Sequence, residues 1–130
     1  MINEKLFKDL CAKLPYDIKC LVKDKDNGNE KICVLKGIDK NGFYLDESVA
    51  FHGWNSFELK PYLFPLSSMT EKQKQEVNKL VEETAFQIIH SEDGNPQPHI
   101  AMDWYNKNHF DYRGLIDDDS AIDATNLNIY

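Results

Sequence analysis

"YDIKCLVKDKDNGNEKICVLKGIDKNGFYLDE", Tyr16 to Glu47, is the stretch from which the fold can be read. Two runs rich in apolar and β-branched residues, Tyr16 to Val22 and Lys31 to Ile38, flank a polar stretch in which Asn27-Gly28 is a strong hairpin signal. "DKNG", Asp39 to Gly42, turns the chain into a third run, Phe43 to Glu47, and the three predict an antiparallel meander. Further on, Gly53-Trp54-Asn55 reads as a turn between two more extended pieces, Val49 to Phe51 and Ser56 to Leu59. Pro61 and Pro65, which have no N–H to give a ladder, are expected to keep their segment out of a helix and off a central strand. Strands this short, at this spacing, predict a small bent antiparallel sheet or SH3-like barrel over residues 16–66.

Helices flank the strands. Ile2, Leu6, Phe7, Leu10, Cys11 and Leu14 recur at helical spacing until Pro15, so residues 1–14 read as an amphipathic helix. Thr70 with Gln73, or Ser68 with Glu71, offers a reciprocal cap to a helix over 70–90 with Val77, Leu80, Val81, Ala85, Phe86, Ile88 and Ile89 on its apolar stripe. "SEDGNPQP" ends it, and a shorter helix follows over 98–107, with Ile100 and Trp104 facing inward and Asn108 as its stop. Residues 108–130 read as a turn and tail, ordered if Leu127, Ile129 and Tyr130 dock. The expectation is one α+β domain over residues 1–130, a length and apolar content suited to a single core.

Charge and cysteines narrow the setting. Residues 91–130 hold eight acids against Lys107 and Arg113, or −6 of the total −7. Such a field repels phosphate, so nucleic acid is a disfavoured partner. The three cysteines form no C-x-x-C pair and sit among apolar neighbours, which reads as reduced, packed thiols in a cytoplasmic protein. The N-terminal segment mixes apolar and charged residues, so neither a signal peptide nor a membrane span is expected.

Reactive groups concentrate in "DWYNKNHFDYRGLI", Asp103 to Ile116, which includes Arg113, the only arginine of the chain. His99 and Asp103 share a helix face, and His109 and Asp111 follow its end. Two imidazoles and two carboxylates are a donor set for a transition metal, although the spacing matches no specific metal motif. Arg113 reads as an ion pair with Asp103 or Asp111, or as an anchor for a ligand carboxylate or phosphate. Asp117 to Ser120 lacks the glycine and glutamate an EF-hand would place after it, and reads as a solvated acidic turn. No nucleophile elbow and no glycine-rich phosphate loop occurs. The rings of Phe43, Tyr44, Phe51, Trp54, Phe57, Tyr62 and Phe64 could stack bases, but a barrel this small needs most of them as core.

"KPYLFPLSSMTEKQKQE", Lys60 to Glu76, and "DWYNKNHFDYRGLI" together resemble a pair of motifs in small proteins encoded by gut Bacteroidales, their phages and their integrated mobile elements. The resemblance runs from about residue 30 to residue 116, with the same order of strands, proline-rich connection, capped helix and aromatic-His-Phe-Asp-Tyr-Arg-Gly turn. It implies provenance and motif boundaries, and it brings no established activity and no catalytic residues. In those relatives a glycine-containing turn and an apolar ending follow "YRGLI", whereas this chain continues "DDDSAIDATNLNIY". The leading expectation is a non-enzymatic accessory protein without a cofactor. It would bind a protein partner, such as a host factor or a second copy of itself, through Trp104, His109, Asp111, Tyr112 and Arg113. The rivals are a metal-dependent hydrolase or nuclease on His99, Asp103, His109 and Asp111, and a nucleic-acid-binding small barrel.

Overall fold

A computed structural model describes the backbone of residues 2–46, 48–90 and 100–130, and their side chains apart from 48–49, 84–90 and 100. Helix α1 (Glu4–Lys13) starts at Asn3, whose side chain accepts the Leu6 N–H. Five strands follow: β1 (Lys19–Asp24), β2 (Glu30–Ile38), β3 (Gly42–Leu45), β4 (Ser48–Gly53) and β5 (Phe57–Pro65). Then come α2 (Glu71–His90), α3 (Ile100–Lys107) and two short strands, β6 (Phe110–Asp111) and β7 (Ile122–Asp123). The Asn27-Gly28 hairpin forms as its sequence predicts, with Gly28 at φ 75°. Asp39 accepts from the N–H groups of Asn41 and Gly42 and closes the second turn. Thr70 and Gln73 cap α2 reciprocally at 3.1 and 2.9 Å, while the Ser68 hydroxyl instead donates to the Pro65 carbonyl.

The strands pair in the order β4-β3-β2-β1-β5, antiparallel throughout, and β6 and β7 each pair with β5. Alternation sends Cys20, Val22, Cys33, Leu35, Phe43, Leu45 and Leu59 to one face. That face is covered by Leu6 and Leu10 of α1 and by Leu115 and Ala121. The sheet is strongly bent, since the Phe43 ring on β3 lies 6.4 Å from Phe57 on β5, and His52 on β4 lies 4.8 Å from that same Phe57. The ladder stays open among the described residues, so the architecture is a bent α+β sheet with three helices.

The structure departs from the sequence reading at β5. Both prolines lie inside this strand, which is flanked by β1 and β6 on one edge and β7 on the other. Along the first edge the bonded groups belong to even-numbered residues: Ser56 accepts from Lys25 N–H, Tyr62 from the Tyr130 hydroxyl, and Phe64 donates to His109. Pro61 therefore turns its missing donor to the other edge, where Leu63 accepts from Ala124, and the ladder to β1 survives. β6 and β7 also run parallel to β5, where an antiparallel sheet was expected. The C-terminal tail docks: the Tyr130 hydroxyl accepts from Lys19 N–H at 3.0 Å and donates to Tyr62 O at 2.8 Å. No helix among the described residues is long and apolar enough to cross a membrane.

Candidate functional site

A buried polar cluster joins α1, α3 and the segment after β6. On α1 the buried stripe is Leu6, Asp9, Leu10 and Lys13, which puts two charged side chains where Phe7 and Cys11 were expected; Cys11 is exposed. Lys13 donates to Asp9 at 2.6 Å and to Asn106 of α3 at 3.1 Å, and its ammonium sits 4.5 Å from the centre of the Tyr112 ring. The Tyr112 hydroxyl donates to the same Asn106 oxygen at 2.8 Å. Arg113 donates from Nε to Asp9 at 3.3 Å and spans the Tyr112 ring, so its ion pair reaches across the chain to Asp9 rather than to Asp103 or Asp111. Burial raises the Asp9 carboxyl pKa against the pull of Lys13, and the same burial lowers the Lys13 ammonium. The second Asp9 oxygen is buried without a partner.

The neighbouring turn consumes the other candidate residues. Asn108 ends α3, its side chain donating to the Trp104 carbonyl at 2.9 Å. His109 takes a left-handed conformation at φ 61° and stacks on Tyr130 with ring centres 3.9 Å apart. Its Nε2 lies 2.6 Å from the Tyr16 carbonyl, an acceptor only, so the proton sits on Nε2. Burial lowers the pKa of this imidazole. Phe110 is buried and stacks on Trp104 at 5.5 Å. Both Asp111 oxygens accept backbone N–H groups, from Leu115 at 3.0 Å and from Ile116 at 2.9 Å. Gly114, at φ 77°, makes the bend that allows this.

Of the proposed metal ligands, His99 lies outside the described residues, and Asp103 is exposed on α3. His109 and Asp111 make the separate contacts above, and no group of three His, Cys, Asp or Glu among the described residues could hold a metal ion. In the acidic turn Asp118 pairs with Lys5, and Asp119 with Lys60 at 3.2 Å. Cys20 and Cys33 are buried and opposite each other in the β1–β2 ladder, and burial raises the Cys20 pKa.

The cluster missed in the sequence, Asp9 and Lys13, did carry a signal. The two lie three and seven residues after Leu6, on the stripe that faces the core. The aromatic residues proposed to stack bases divide by strand face. Phe43, Trp54 and Tyr62 are buried, whereas Tyr44 and Phe51 are 43% and 44% exposed on the opposite face, with ring centres 5.2 Å apart. Set against protein-family models, curated proteins and solved structures, the chain shows no significant match.

Proposed function

We propose that this chain is a non-enzymatic accessory protein of phage or mobile-element origin that binds a protein partner in the bacterial cytoplasm. The contact surface is the solvent face of β2, β3 and β4. The observation that carries this reading is the exposed Tyr44–Phe51 pair. Large rings left half in water next to a sheet edge are the kind of residue that supplies the buried centre of a protein interface. The chemically rich residues support the same division of labour. Asp111, His109, Tyr112 and Arg113 are engaged in contacts that hold α1, α3 and the sheet together. The provenance rests on the resemblance of the "PYLFPLSSMT" and "HFDYRGLI" segments.

Affinity capture from a Bacteroidales lysate tests the reading when wild type is run beside a Tyr44→Ser/Phe51→Ser variant of equal thermal stability. A protein retained by wild type and lost from the variant supports it. Equal retention by both would remove the surface, and a wild type that retains nothing would remove the function.

A further inference from the structure

A second surface lies at the mouth of the bent sheet, under the β1–β2 hairpin. A cleft of about 340 Å³ is lined by Val22, Asp24, Glu30, Lys31, His52 and Phe57, with Asn27 and Asn29 at its rim. His52 is 7% exposed, stacked on Phe43 and edge-on to Phe57, and its Nδ1 is buried without a hydrogen-bond partner. A buried polar atom left unpaired is destabilising, and this one belongs to a ring that lines a cleft. We infer that the cleft binds a primary alkylammonium group, the group at the end of a lysine side chain or of a free polyamine.

Three features select a cation. Asp24 and Glu30 outnumber Lys31, so an anion entering the cleft would meet net negative charge. Phe57 brings an aromatic ring to the lining beside which an ammonium can sit, and Val22 offers an apolar wall to its methylenes. In the tautomer that carries its proton on Nε2, His52 presents Nδ1 as an acceptor, and an ammonium is donor only. A divalent metal is a poor fit, because no group of three His, Cys, Asp or Glu among the described residues could hold one. The inference stands apart from the Tyr44–Phe51 reading, since it concerns the other face of the sheet and a ligand that can be supplied pure.

The test is a titration of the whole chain with n-butylammonium chloride, followed by NMR of the Val22 methyls and the His52 and Phe57 ring protons, with sodium butyrate as the control. Saturable shifts with the amine and none with the acid are expected. His52→Phe keeps the ring stack and loses Nδ1, so its affinity should fall about tenfold, and Asp24→Asn should weaken binding about threefold. Asp24→Asn keeps the oxygen that accepts the Asp26 N–H, so it decides the matter if His52→Phe does not fold. Shifts that do not saturate, equal shifts with butyrate, or unchanged affinity in folded variants would overturn the inference. Nα-acetyl-lysine methylamide run against spermidine assigns the source, and tighter binding by either one supports the amine site.

Discussion

Lys13 and Asp9 are both fully buried, and each depends on the other. Removing one leaves an uncompensated charge, whereas replacing both with apolar groups of similar size removes the desolvation penalty as well. Lys13→Met should therefore lower stability by about 3 kcal/mol in urea unfolding, and Asp9→Leu/Lys13→Met should lose clearly less than that single change. A double variant as unstable as the sum of the single changes would show that the pair is not the unit. His109 makes a second prediction. Its folded pKa lies below the ordinary 6.5, so the unfolded chain binds the proton first as the pH falls. Stability from this residue is full above pH about 6.5 and is lost on acidification toward the folded value. Comparing urea midpoints at about pH 7.5 and 5.5, wild type should lose more than His109→Asn, a replacement that tolerates the left-handed backbone. Equal losses would contradict the assignment.

At the scale of elements, β3 and β4 approach so closely at Gly42 that a Cβ there would meet the His52 carbonyl oxygen at 2.1 Å. That neighbour is backbone and cannot swing aside, so Gly42→Ala should cost about 1–3 kcal/mol, visible as a lower melting temperature. The meander, the reciprocal cap of α2 and the Asn108 stop could all be read from the chain, because each is set by residues within a few positions of one another. β6 and β7, of two residues each, carry no periodicity to read. The place of β5 inside the sheet was hidden for another reason. A proline rules out a donor on one edge only, and which edge Pro61 faces depends on where β1, β6 and β7 come to lie. The Asp9–Arg113 contact, 104 residues apart in the chain, was likewise assigned to nearer acids because sequence distance favours them.

For the whole molecule, one bent sheet closed on one face by α1 and the C-terminal segment separates two kinds of residue. The buried face holds Cys20 and Cys33 while Cys11 is exposed, so of the three cysteines only one should react with a thiol reagent in the native state, and all three after denaturation. More than one fast thiol would mean that β1 and β2 are not packed as described. Across the sheet, His109, Asp111, Tyr112 and Arg113 make contacts that tie α1, α3 and the sheet together, and the exposed aromatic pair on β3 and β4 is the proposed contact. Amide hydrogen exchange on the complex with a captured partner tests this most directly. New protection over 43–53 with little change over 106–114 is the predicted result, and protection confined to 106–114 would contradict it.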